Sequence, residues 1–514
     1  MKIKKLILTS LFAGLFVVSC SKDDAEEENV TRVNIAASIG LASEPNTNGE
    51  FTLTLSGSVS TATTISYTIS GTATNGTDYQ TISNSATIPA NSTSKTIAVN
   101  IIDDTITEDD ETLTITLTTT SNQNIILDSA DTATVTITEA PEEFVLLPEE
   151  ASLFMVNPNA TPETIALFYN LKILSKTKFV VGQQDAFNSF YNDNGGESDI
   201  KKTTGSDPGL LGSDFMFITD DNNDGSASNW FYQQEEIIKY DAIEAYNKGM
   251  INTFCWHMRE PYEGDHFYTS EMTQFQKDNA FKSILPEGTN HDYYKQKLQK
   301  IAEVANSMVG SDGKLVPFIF RPFHEFDGDW FWWGAAYCTP QEYKTLWQFT
   351  VTYLRDTLNV NNILFAFSPD NNFFSTGEYL SRYPGDAYVD ILGMDNYGDF
   401  NNQGQMALDN ANEKLQILTE IAKERVKIAA LTESCFFVTP GQNNPISGFY
   451  SNHLYNALSE NNVEIGFMMF WTNTADTYCT PAPGLSTTTD FLEFINKPRS
   501  ILQNELPNMY ELPE

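Results

Sequence analysis

The chain has 514 residues, 41% of them apolar, and 30 lysines and arginines against 68 aspartates and glutamates leave a net charge of −38. That length is enough for two or three domains, and the apolar share is that of a globular protein. The charge argues against nucleic acid as a partner, because phosphate binding needs basic patches; it favours solubility, suits a neutral ligand, and leaves acidic loops able to hold calcium.

Residues 1–20 have the form of a secretion signal. Lys2, Lys4 and Lys5 precede an apolar core, 6–18, that is too short to span a bilayer. Cys20 stands at the expected cleavage point. This resembles a bacterial lipobox, which implies a mature chain that starts at a lipidated Cys20. Residues 21–29 form a polar tether with Asp23, Asp24 and Glu26 to Glu28. It resembles the acidic tether of surface-exported lipoproteins of the Bacteroidetes type. The expectation is an exported lipoprotein of the outer membrane, at the cell surface, held to the membrane through Cys20.

Residues 30–139 are rich in Ser and Thr and alternate apolar with polar at 51–55, 64–69, 96–101, 112–117 and 132–137. Period-2 runs broken by Gly, Asn and Asp predict an antiparallel β-sandwich of about seven strands. The segment 71–79 and the acidic run 101–111 resemble a Calx-beta domain. The resemblance implies calcium at one end of the sandwich, on Asp78, Asp103, Asp104, Glu108 and Glu111. The acidic run usual after that family's last strand is missing here, so a purely structural spacer stays open beside the calcium reading.

Residues 140–150 read as a linker, and 151–514 as a second domain. Eight short apolar runs follow, at 178–182, 214–218, 251–255, 315–320, 362–367, 389–393, 426–431 and 465–470. Amphipathic stretches such as 293–308 and 341–357 lie between them. Each run leads into polar or aromatic residues: Gln183 and Gln184, Asp220, Trp256 and His257, His324 and Glu325, Asp370, Asn396 and Tyr397, Glu433, then Trp471. Eight parallel strands alternating with helices predict a (β/α)8 TIM barrel whose active site lies at the C-terminal strand ends. The run 220–225 opens like a calcium loop, but its twelfth position is Phe231 where a bidentate Glu is required, so it reads as a polar turn. Cys255, Cys338, Cys435 and Cys479 include no closely spaced pair, which argues against zinc. Free thiols, or at most one bridge, are expected.

The densest signal is 321–334. A buried run ends in His324 and Glu325 and opens into Phe326, Trp330, Phe331, Trp332 and Trp333. A carboxyl beside aromatic faces suits cleavage of a sugar bond: the acid protonates the leaving oxygen while rings stack on the sugar. Glu433, after the seventh run, is the partner. A barrel brings its fourth and seventh strands across one mouth, and carboxylates about 5 Å apart would act as acid and nucleophile with retention. A lone strand-end Glu reads equally as an internal ion pair; two, with the aromatics, favour a site.

The motifs at 321–325, 330–334, 383–397 and 431–433, with Trp256, His257 and Trp471, resemble glycoside hydrolase family 26, best known for β-mannanases. The resemblance spans about 160–500. It implies Glu325 as general acid/base and Glu433 as nucleophile, with no catalytic cofactor. His324 would reach into the site or be a core histidine. Tyr397 would donate to the nucleophile or simply pack. Trp471 would be the sugar platform, Trp330 and Trp256 would line neighbouring subsites, and His257 would contact a hydroxyl. Two departures bear on the substrate: Thr472 stands where many such mannanases carry Arg, and Gln183 or Gln184 near a common His. The implied activity is endo-hydrolysis of β-1,4-mannan by a monomer; β-1,3-xylan or mixed-linkage glucan stay open. A surface glycan-binding lipoprotein on an inactive barrel is the competing class, and the presence of both carboxylates speaks against it.

Overall fold

The computed structural model describes residues 30–44, 47–103, 108–138, 144–401 and 404–513. The signal, the tether, Cys20 and Asp104 lie outside the described residues. The chain divides into two compact units at 143/144.

The first unit holds β1 (Thr31–Ile39), β2 (Leu41–Ser43), β3 (Gly49–Leu55), β4 (Thr63–Gly71), β5 (Ser85–Ile88), β6 (Ser94–Val99), β7 (Glu111–Thr120), β8 (Ile125–Leu127) and β9 (Thr132–Thr138). They form two sheets, ordered β6-β3-β1-β8 and β2-β9-β7-β4-β5. Alternation sets the inner faces: Phe51, Leu53 and Leu55 of β3 and Leu113, Ile115 and Leu117 of β7 are buried in one core, while the threonines between them stay partly exposed. Two strands exceed the expected seven. They are the three-residue β2 and β8, too short to show alternation, and both pair in parallel.

The second unit carries β10 (Phe179–Gln184), β11 (Leu210–Asp214), β12 (Ile251–Cys255), β13 (Phe318–Arg321), β14 (Ile363–Phe367), β15 (Ile391–Asp395), β16 (Ile428–Ser434), β17 (Phe467–Phe470) and β18 (Ser500–Ile501). β11 to β17 pair in chain order, and β10 pairs with both β17 and β11, closing an eight-stranded barrel; β18 flanks β10. All barrel strands but β11 are buried throughout, and β11 leaves only Asp214 half-buried, as a parallel sheet inside a ring of helices requires. Helices Gln274–Ile284 and Pro340–Thr352 start at capping boxes on Thr273 and Thr339.

The second strand is not 214–218. The ladder runs one segment earlier, and Phe215 turns outward to stack on Phe254 at 4.6 Å. Gly212 explains the weak signal: a Cβ there would meet Gln184 Oε1 at 2.2 Å and Met469 Sδ at 2.6 Å. The strand therefore gives up apolar side chains for close packing in the barrel. The linker also ends earlier than expected: 144–150 belong to the second unit, where Leu146 joins the barrel's core. The 220–225 turn is tied internally, with Asp220 accepting from Asn222 at 2.9 Å and pairing with Arg259 Nε at 2.5 Å. Cys435 and Cys479 form one bridge, and Cys255 and Cys338 are buried free thiols.

Candidate active site

Along each barrel strand alternate residues face the interior. Asn252 and Phe254 point outward, Asn252 to Ala242 O of a surrounding helix at 2.9 Å, so Cys255 faces in. Register places Arg321 beside Cys255 and Glu433 beside Asp395. The top layer of the barrel is thus polar. Arg321, 1% exposed, reaches Asp395 with Nη1 and Glu433 with Nη2. Asp395 also accepts from Ser368 at 2.9 Å and Thr432 at 2.8 Å. Burial alone would discharge the guanidinium, but Asp395 and Glu433 hold its charge. Glu433 Oε1 accepts from Tyr397 Oη at 2.6 Å, so both Glu433 oxygens are fixed by donors from different strand ends.

Glu325 sits on a sharp turn after β13. Phe323 and Glu325 have φ of 53° and 52°, a left-handed conformation costing about 1–3 kcal/mol per non-glycine residue. The turn is pinned by Glu325 N donating to Ser368 O at 2.9 Å and by Trp333 Nε1 donating to His324 O at 2.7 Å. Trp330 Nε1 donates to Glu325 Oε2 at 2.5 Å. Its ring lies over Gly328, where a Cβ would approach it to 2.3 Å. Burial, then the nearby Glu433, Asp395 and Asp370 carboxylates, pushes the Glu325 carboxyl well above its usual range. Two neighbouring carboxyls in unlike settings can divide the roles of proton donor and nucleophile.

Both carboxyls line an open cleft of about 600 Å³ together with His257, Tyr268, His324, Trp330, Tyr397, Phe437 and Trp471. His257 Nδ1 lies 2.6 Å from Asp214 Oδ2, and its Nε2 lies 3.3 Å from His324 Nε2. Asp214 holds the ring at Nδ1, and the facing Nε2 atoms of His257 and His324 share one hydrogen bond. Burial, then Arg321 and His257, holds His324 well below the ordinary histidine range. Trp256 is a correction. It is 1% exposed, its indole donates to Thr219 at 2.9 Å, and it stacks on Tyr294 at 5.9 Å. One position past the strand end, it faces the helix layer, so it packs and lines no subsite. Gln183 likewise lies among the buried residues outside the cleft.

Sequence reasoning gave no role to Arg321 or Asp395, although both stand inside quoted motifs; a charged residue at an inward strand position is the signal that finds them. Asp214 was hidden by the displaced second strand. Tyr268 and Phe437 are loop residues brought in by long-range contacts, and no local pattern marks them.

In the first unit, ligand oxygens of Asp78, Glu108 and Glu111 lie within 4.8 Å of one another. Burial, then Asp78, Glu108 and Glu44, pushes Glu111 up to about 7. Asp103 is exposed and not one of the three: it lies beyond the pairing of Tyr79 with Ile101, where the chain leaves the sheet.

A closed (β/α)8 barrel with two carboxyls and aromatic walls at its C-terminal mouth defines a glycoside hydrolase. Residues 156–461 match glycosyl hydrolase family 26, and residues 26–141 match the Calx-beta domain; the chain belongs to glycosyl hydrolase family 26. The solved structure of GH26C from Muricauda sp. MAR_2010_75 is 67% identical, covers 72% of this chain and 99% of its own, and superposes with a TM-score of 0.72. An endo-beta-1,4-mannanase double mutant from Cellulomonas fimi is 30% identical over 70% of this chain and 79% of its own, with a TM-score of 0.64. A mannan endo-1,4-beta-mannosidase of Bifidobacterium adolescentis is 34% identical over 61% of this chain. The chain spans 31% of that relative's length, and 66% of a mannan endo-1,4-beta-mannosidase from Bacillus subtilis.

Proposed function

We propose that this chain is an endo-acting, retaining β-1,4-mannanase. The observation that carries the reading is the pairing of Glu325, buried and biased toward its protonated form, with Glu433, clasped by Arg321 and Tyr397 in the same cleft. Glu433 attacks the anomeric carbon as Glu325 gives its proton to the leaving oxygen. Glu325 then takes a proton from water, which displaces Glu433 and restores it. The open cleft suits a polymer, and the mannanase relatives supply the sugar. Reducing-sugar release from glucomannan and galactomannan tests it, beside β-1,3-xylan and mixed-linkage glucan. Activity on mannans that Glu325→Ala and Glu433→Ala abolish sustains the reading, while turnover confined to another glycan overturns the substrate. NMR of the first-formed anomer tests retention.

The three converging carboxylates of the first unit support calcium there, since a hard cation satisfies oxygen donors that otherwise repel. Asp78, Glu108 and Glu111 would hold it. A Tm raised by calcium and lowered by chelator, and insensitive to both in Glu111→Ala, is expected. Attachment through a lipidated Cys20 at the outer membrane rests on the leader sequence; intact-mass analysis of the membrane-extracted N-terminus tests it.

A further inference from the structure

The loop after β16 carries a feature that the two-carboxylate chemistry does not use. Phe437 is 40% exposed and lines the cleft, yet its backbone is pinned on every side. Two residues before it, Cys435 is bridged to Cys479. Next to it, Val438 and Tyr478 exchange backbone hydrogen bonds of 2.9 and 3.1 Å. The Phe437 carbonyl accepts from Asn443 Nδ2 at 2.7 Å. Its ring lies within 3° of parallel to Tyr397, with centroids 5.8 Å apart. A large apolar ring held rigid and half in solvent is a preorganised binding surface, because ordering it costs nothing when a ligand arrives.

We propose that Phe437 is the platform for the sugar on the leaving-group side of the cleaved bond, held in place by the Cys435–Cys479 clamp. The assignment rests on the mannanase reading, in which Trp471 carries the sugar that becomes bonded to Glu433. Trp471 follows β17, and His257 follows β12. Asp370, Asn371, Tyr397 and Phe437, from the ends of β14, β15 and β16, form the wall of the cleft on the β15 side, where the Phe437 ring lies over Tyr397. A sugar leaving past Glu325 and away from Trp471 meets that wall, where the side-chain oxygens of Asn371 and Asn443, which line the same cleft, offer acceptors to hydroxyls. The same subsite receives an incoming sugar in the reverse sense. An acceptor hydroxyl oxygen bonds to the anomeric carbon, the bond from that carbon to Glu433 breaks, Glu433 departs as carboxylate, and the hydroxyl proton passes to Glu325.

The test uses the full chain, β-mannobiosyl fluoride as donor and mannobiose as acceptor, and reads the ratio of transfer product to hydrolysis product. That ratio is internal and independent of how much enzyme folds. Phe437→Ala is expected to lower it about tenfold, the loss that follows when one apolar face is no longer covered. Phe437→Tyr restores it, and Phe437→Leu, apolar but not flat, does not. Cys479→Ser, which keeps Phe437 and removes the clamp, lowers it in the same direction. A wild-type-like ratio in Phe437→Ala or Phe437→Leu overturns the platform; a wild-type ratio in Cys479→Ser overturns the clamp. A wild-type chain that releases no fluoride from the donor overturns the mannanase reading and this assignment with it, whereas fluoride release without transfer at any acceptor concentration overturns this assignment alone.

Discussion

Tyr397 Oη lies 2.6 Å from Glu433 Oε1, and the other oxygen of the same carboxylate accepts from Arg321. The two donors come from β13 and from just beyond β15, so Glu433 on β16 is located by three strands at once. That is preorganisation built into the ladder: the carboxylate cannot rotate without losing one donor. Tyr397 in turn packs in parallel against Phe437, which keeps its hydroxyl aimed.

Tyr397→Phe keeps the ring and its stacking and loses only the hydroxyl. A hydrogen bond to a charged group contributes about 1.5–3 kcal/mol, so kcat/KM is expected to fall roughly 10- to 100-fold, with a modest fall in Tm. Steady-state kinetics on mannohexaose and a melting curve check it. An unaltered kcat/KM would mean that the hydroxyl only packs.

Arg321 is a different kind of partner, because it is buried between two carboxylates. Arg321→Ala leaves Asp395 and Glu433 facing each other without a cation, and breaking such a buried pair costs about 3–5 kcal/mol. A large drop in Tm and no activity are expected. Arg321→Lys keeps the charge but reaches one carboxylate at a time; it is expected to recover most of the Tm and little of kcat. Recovery of both would show that the fork is not needed.

These two residues also show what the sequence made legible. Glu325 and Glu433 stand out because each is a carboxylate ending an apolar run, and the barrel rule places such ends at one mouth. Arg321 and Asp395 end runs too, but a salt bridge reads from sequence only when both ends are already placed. β11 was displaced because its interior position is Gly212 while the outward Phe215 looked like core. Phe437 and Tyr268 enter the cleft through a disulfide and a β-bridge to Phe331, contacts that no local periodicity encodes.

Trp256 separates packing from binding. It is buried against Tyr294 and Phe320, with its indole bonded to Thr219. Trp256→Ala is expected to cost about 3–5 kcal/mol of stability while the folded fraction keeps the wild-type KM. Chemical denaturation and kinetics at low temperature check both. A raised KM without loss of stability would return Trp256 to a subsite.

The Glu325 carboxyl yields predictions of opposite sign for rate and for stability. Burial, then Glu433, Asp395 and Asp370, raises its pKa, and only the Trp330 indole works the other way. Catalysis needs the protonated acid, so kcat/KM falls as pH rises through that raised value. Trp330→Phe removes the donor that favours the anion, so its alkaline limb moves to higher pH, whatever happens to the maximum rate. For folding, the native carboxyl holds its proton to higher pH than the unfolded one, which releases it near 4.3. Between those two values the native state binds more protons, and stability falls as pH rises. Glu325→Gln keeps an acceptor for Trp330 and removes the charge. Its Tm should exceed that of the wild type on the alkaline side and converge with it in acid. Calorimetry at about pH 5 and pH 9 decides: a Gln variant less stable than the wild type at the higher pH would show that the ionised acid is welcome in this site, and the assignment of Glu325 as proton donor would fall with it.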